Sequence, residues 1–211
     1  MIELVRIVAR QAALSSYKAT QNEERALQLE LLIENTKPKN LYSAWHPLIA
    51  TPFRYGPPLL QGRFRPSYGK NVFYGSLVEE TALYEHAYHF MKQRIHLKKM
   101  KTETGVRTLF WVDVKGNNAI HVKNYFDSAL IMDKNDYSHS HQFILSHPHA
   151  TLIMYPSCRD PKNGDNAAVL DIERLGKNLK WESSIKFFYD NKTRKISWLD
   201  YDLHIQWEQL S

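Results

Sequence analysis

At 211 residues with 43% hydrophobic content, the chain can bury one substantial core, and its length calls for no second large domain. No apolar run reaches the length of a membrane span, the opening Met1-Ile2-Glu3-Leu4-Val5-Arg6 is too charged for a signal peptide, and the single Cys158 can form no internal disulfide. These features disfavour membrane and disulfide-stapled secreted classes and lead us to expect a soluble, cytoplasmic protein. A net charge of +6 and a pI near 9.2 call for an anionic partner, be it a nucleotide, a nucleic acid or an acidic protein.

In chain order, residues 2–14 carry apolar side chains at helical spacing, and Thr20 with Glu23 reads as a capping box opening a second helix through Glu34. Pro38 within residues 36–40 ends it. The expectation is an N-terminal helical extension over residues 1–40, packed on a main domain of residues 41–211 or serving to dock a partner. Residues 45–68 are rich in Pro, Gly and aromatic residues and read as mostly irregular. Val72, Phe73 and Tyr74 form a short buried strand, and Ser76 with Glu79 reads as a capping box for a helix running to about Met91. On that helix Ala82, Leu83, His86, Ala87 and Phe90 recur at three- and four-residue steps as the core stripe, with Glu85 beside it. The basic run Lys98, Lys99, Lys101 reads as a solvated loop.

Strands are expected at residues 106–114, 119–122, 150–155, 167–172, 185–189 and 195–199. The last two are joined as a hairpin at Asp190, Asn191, Lys192 and Thr193. Alternation of Leu203, Ile205 and Trp207 against His204, Gln206 and Glu208 predicts a closing half-buried strand.

Several residue types here suit a phosphate-bearing ligand with a breakable sugar-base bond. Arg63, in an irregular segment, offers a planar fork of donors that matches phosphate oxygens and stays charged at any working pH; Arg54, Arg65 and Arg159 are possible helpers. Glu85 offers a carboxylate of the kind that stabilises an oxocarbenium-like transition state, with Glu79 and Glu80 as neighbouring alternatives. Tyr74 is a strand-end aromatic. Ser157 lacks a Gly-x-Ser-x-Gly context and reads as a binding group for a sugar hydroxyl or phosphate rather than a hydrolase nucleophile. Cys158 reads as a small buried residue. His139, His141, His147 and His149 form two His-x-His pairs that would share a face in a strand, but no cysteine or carboxylate completes a familiar zinc pattern, so no metal is expected.

The order of these features resembles the RES domain family. Gly62-Arg63-Phe64 comes first, then a strand ending in Tyr74, then a helix reading Ala82-Leu83-Tyr84-Glu85, then a strand ending in Pro156-Ser157. The chain departs from the family pattern where Arg65 and Pro66 follow Phe64, which leaves open whether Arg63 or Arg65 meets the phosphates, and in its extra N-terminal segment. The resemblance covers roughly residues 45–172. It implies an α+β fold like the ADP-ribosyltransferases, with a split, mostly antiparallel sheet and flanking helices. It also implies a toxin that degrades NAD by cleaving the nicotinamide–ribose bond, with water or inorganic phosphate trapping the ribose, and a small antitoxin that covers the cleft. The family's functional residues fall on Arg63, Tyr74, Glu85 and Ser157. A homodimer is compatible with the sequence. Two other readings stay open: transfer of ADP-ribose to a protein or nucleic acid, and a basic nucleic-acid-binding module using residues 98–101 and the many tyrosines.

Overall fold

A computed structural model describes residues 1–9, 24–25, 28, 42–54, 61–67, 69–97 and 101–211. Its frame is a nine-stranded sheet in the order β4-β5-β6-β2-β1-β3-β7-β8-β9. The strands are β1 (Ile2–Ala9), β2 (Phe73–Ser76), β3 (Thr102–Val114), β4 (Ile120–His121), β5 (Leu152–Pro156), β6 (Asp165–Val169), β7 (Trp181–Asp190), β8 (Lys195–Trp198) and β9 (Leu203–Gln206). All neighbours are antiparallel except β4 and β5. Around them sit α1 (Pro47–Arg54), α2 (Glu79–Lys92), α3 (Ser128–Ile131), α4 (Ser138–Ser146) and α5 (Trp207–Leu210). This is the α+β architecture that the resemblance implies.

The largest departure from the sequence reading is at the start. Ile2–Ala9 is a strand, not a helix, and it lies in the middle of the sheet, paired along its whole length with β3 from Ile2↔Val114 to Ala9↔Arg107. Both of its faces are covered: Leu4 packs with Phe73, Phe110 and Val112 on one side, Val5 and Ile7 with Leu83 and Leu109 on the other. A strand buried on both faces loses the period-two signature and reads as a continuous apolar run, which periodicity alone cannot separate from a helix. The expected second helix lies largely outside the described residues; Glu24, Arg25 and Gln28 within it are helical. Residues 98–100 of the basic run are outside them as well, while Lys101 is exposed.

Three smaller expectations also change. Residues 47–54 are helical, with Pro47 at the first helical position, where its missing N–H costs nothing, and with Ile49 and Ala50 buried. The Ser76–Glu79 capping box does not form: Val78 is the N-cap, Ser76 donates to Asn166 Oδ1 at 2.6 Å, and Glu79 accepts from Trp111 Nε1 and Tyr201 Oη. The tail forms β9 as expected, but Trp207 begins α5 instead of extending the strand.

The sheet is split between β1 and β2. These strands share a single register pair, Val5↔Ser76, whereas β1 and β3 share eight and β2 and β6 share four. On one face the sheet carries α2 over Val5, Ile185, Phe187 and Trp198, and beside it α3 and α4 over Ile153, Tyr155 and Ala168. The opposite face carries α1 over Phe73, Phe110 and Leu152. The cleft described below opens where β1 and β2 part, between α2 and the α3–α4 pair.

Because Leu4 is fully buried at the centre of this frame, Leu4→Ala should lower the stability of the whole chain by about 2–5 kcal/mol, read from the urea unfolding midpoint at unchanged slope. An unshifted midpoint would make residues 2–9 an appendage after all.

Candidate active site

The cleft has a volume of about 710 Å³. Among the described residues, Arg6, Arg63, Arg65, Lys92 and Arg159 line it, against the one carboxylate of Glu85. Such a surplus of fixed cations in a concave site draws anions from solution.

Glu85 projects from the middle of α2. Its Oε1 accepts two hydrogen bonds, from Ser157 Oγ at 2.7 Å and from Asn166 Nδ2 at 2.8 Å. Both donors are themselves oriented. Ser157 Oγ accepts the backbone N–H groups of Arg159 and Asp160, so its own proton is left for Glu85. Asn166 Oδ1 accepts from Ser76, which turns the amide nitrogen toward the carboxylate. Among the described residues no lysine or arginine forms a salt bridge with Glu85, so the carboxylate is aimed without being neutralised. Glu79 and Glu80, the alternatives in the sequence, are tied elsewhere, Glu80 to Lys162.

Ser157 stands at 1% exposure and does not line the cleft. It sits behind Glu85 rather than at a position that meets a sugar directly. The loop that carries it, residues 157–164, is pinned to α2 by Thr81 Oγ donating to Asp160 Oδ2 at 2.6 Å. Gly164 closes that loop with no room for a side chain: a Cβ there would lie 2.0 Å from Thr81 Oγ.

Arg63 is presented by a tight turn whose ends, Gly62 and Arg65, exchange backbone hydrogen bonds. Phe64 anchors the turn at 1% exposure and gives its N–H to Tyr74 Oη at 3.2 Å. Arg63 Nη1 donates to the carbonyls of Ile131 and Asp133 at 3.1 and 2.7 Å, and the guanidinium lies 4.9 Å from the centre of the Tyr137 ring. Cys158 Sγ donates to the carbonyl between them, that of Met132, and burial pushes its thiol pKa up, so it is no poised thiolate. Tyr74 lines the cleft beside this turn; burial pushes its hydroxyl up to about 12 against the opposing pull of Arg65 and Arg63, so it stays protonated at neutral pH.

The structure adds a residue that the sequence reading passed over. Arg6, on β1, lines the cleft with Nη1 buried and without a hydrogen-bond partner among the described residues. Burial, and then the charge of Arg65, lower its pKa to about 10, and its guanidinium lies 4.7 Å from the Phe73 ring centre. A buried donor left open in a cationic cleft fits an anionic ligand. Its signal was in the sequence, an arginine inside an apolar run, but it reads as part of the site only once that run is a central strand.

The four histidines do not share a strand face. His139 and His141 are on α4, with His141 Nε2 bonded to the Gly62 carbonyl, and His147 bridges the Phe143 carbonyl and Tyr125 Oη. No group of three or more His, Cys, Asp or Glu side chains suited to a metal occurs among the described residues.

A mixed α+β fold whose split sheet opens a cationic cleft around one oriented glutamate defines the class. The family model described as the RES domain matches residues 40–190, most of the chain, and the chain belongs to the RES domain family. At the level of the family this makes it an NAD-acting enzyme of toxin–antitoxin type. No curated protein matches the chain. The matched segment leaves out β1, β8, β9 and α5.

His86, next to Glu85, sets a pH limit. Burial first, then Arg107, lower its pKa to about 3, and its Nε2 accepts from Arg107 Nε at 3.2 Å. The unfolded chain therefore binds a proton at His86 that the folded chain refuses. Its contribution is intact above pH 6.5 and is lost as pH falls from there toward 3. Unfolding midpoints should fall across that window, and His86→Gln, which cannot titrate, should flatten the fall; an identical slope in the variant would assign the acid sensitivity to other groups.

Proposed function

We propose that this cleft binds NAD and cleaves its nicotinamide–ribose bond, and that a cognate antitoxin restrains the activity by covering the cleft. The observation that carries the reading is Glu85: a carboxylate fixed by Ser157 and Asn166, with no lysine or arginine in a salt bridge to it among the described residues, in a cleft whose other charged lining side chains there are arginines and a lysine. Arg63, Arg65 and Arg6 take the diphosphate, two-pronged contacts that a lysine would not replace. The nicotinamide ring lies against Tyr74. As the C–N bond breaks, its electron pair leaves with nicotinamide, which becomes neutral, and the positive charge passes to the ribose. The Glu85 carboxylate opposes that charge most strongly in the transition state. A water or an inorganic phosphate then bonds to the ribose carbon, with a water nucleophile giving up its proton. Ser157 acts by orienting Glu85; Cys158 takes no covalent part.

Glu85→Gln keeps the shape and removes the charge. NAD should bind within a few-fold of the parent, by calorimetry, while nicotinamide release falls on the order of a hundredfold. Equal turnover in the variant and the parent rejects the catalytic role, and a parent that consumes NAD only when a protein or nucleic acid is added makes the reaction a transfer to that acceptor.

In cells, induced expression of the chain alone should arrest bacterial growth and drain the NAD pool, and an Arg63→Ala chain should do neither. Normal growth with abundant soluble parent protein and a full NAD pool counts against the toxin reading.

A further inference from the structure

The last two strands and the terminal helix lie outside the family match, yet they reach the Glu85 site through one side chain. Arg159 follows Ser157 by two residues and is 3% exposed. Its Nη1 donates to the carbonyl of Leu210, in α5, and its Nη2 to the carbonyl of Lys134, just past α3, each at 2.6 Å. Its guanidinium lies 3.6 Å from the centre of the Tyr88 ring, and Tyr88, one helical step beyond Glu85 on α2, is stacked on Trp207 of α5 at 5.6 Å and 8° between planes. Among the described residues no carboxylate pairs with Arg159; two carbonyls and an aromatic face meet its charge.

We infer that Arg159, held by the C-terminal helix α5, is a positioning residue that keeps Ser157, and through it the Glu85 carboxylate, in working geometry. This rests on the reading of Glu85 given above. The route is short. The backbone N–H of Arg159 donates to Ser157 Oγ at 3.1 Å, and Ser157 Oγ donates to Glu85 Oε1 at 2.7 Å. A planar fork with one nitrogen on each of two separate segments fixes both the place and the plane of the guanidinium, which a single ammonium cannot do. The last carbonyls of a helix have no intrahelical donor, so α5 meets this buried cation with one of them and adds no second carboxylate beside Glu85. A second acid there would compete with Glu85 for the cleft's cations. The C-terminal strands β8 and β9 thus deliver α5 to Arg159, and Leu210, fully buried, seats it.

The test uses the full chain in four forms: parent, Arg159→Gln, Arg159→Lys and Trp207→Leu, the last altering α5 at a residue that does not itself line the cleft. Folding is checked by circular dichroism and thermal midpoint. Arg159→Gln should lower kcat for nicotinamide release by about tenfold to a hundredfold, the scale of a small misplacement of reacting groups, with KM for NAD changed by less than about threefold. Arg159→Lys should recover little of that loss. Trp207→Leu should lower kcat in the same sense, and combining it with Arg159→Gln should cost less than the product of the two, as for residues acting through one contact. Independently of any activity, amide hydrogen exchange at residues 157–160 should quicken in folded Trp207→Leu and Arg159→Gln.

A raised KM with unchanged kcat makes Arg159 a ligand contact and overturns the inference, and so does full rescue by Arg159→Lys. Unchanged exchange at residues 157–160 in both folded variants overturns it whatever the chemistry. A parent chain that leaves NAD intact sinks the NAD reading alone, since the exchange result stands apart from it.

Discussion

The site turns on one carboxylate, Glu85, that is aimed by hydrogen bonds and, among the described residues, makes no salt bridge with the lysine or arginines that line the cleft. Glu85 faces a cleft where an unrestrained acid would settle onto the nearest guanidinium. Two donors on Oε1 prevent this, each a hydrogen bond to a charged group worth about 1.5–3 kcal/mol. Those donors come from two adjacent strands' ends, Ser157 after β5 and Asn166 in β6, while the acid comes from a helix. The alignment of α2 on the sheet is therefore the condition for this geometry, and the Thr81–Asp160 bond and the bare Cα of Gly164 lock that alignment from the loop side.

The cations are restrained by a different device. Four successive carbonyls, those of Ile131, Met132, Asp133 and Lys134, accept from Arg63, Cys158, Arg63 and Arg159 in turn. Carbonyls orient a guanidinium without cancelling its charge, as a carboxylate would. The wall of the cleft thus stays electropositive while its arginines stay ordered, which lowers the cost of organising them when an anion enters.

The split in the sheet is what gives this arrangement room. With only Val5↔Ser76 paired, β1 and β2 diverge, and the ground between α2 and the α3–α4 pair becomes a cleft floored by strand residues rather than a filled core. Arg6 sits at that divergence. The segment outside the family match contributes at both ends of the chain: β1 brings Arg6, and α5 brings the carbonyl that seats Arg159.

Much of this was legible in the residues themselves. The amphipathic stripe of α2, the buried run of β5 and the hairpin of β7 and β8 follow from local pattern, because helix and strand periods and turn chemistry are properties of neighbouring residues, whereas Arg63, Tyr74, Glu85 and Ser157 were singled out by the resemblance to the RES domain family. The strand nature of Ile2–Ala9 was not, since β2 and β3 pair its two edges and α2 and α1 cover its two faces, all of them distant in the chain. Nor was the withdrawal of Ser157 behind Glu85, the pairing of Asn166 with that acid, the open donor of Arg6 or the reach of α5 to Arg159. Each depends on which elements become neighbours, and hydrogen bonds between residues 51 to 81 positions apart leave no spacing in the chain to read.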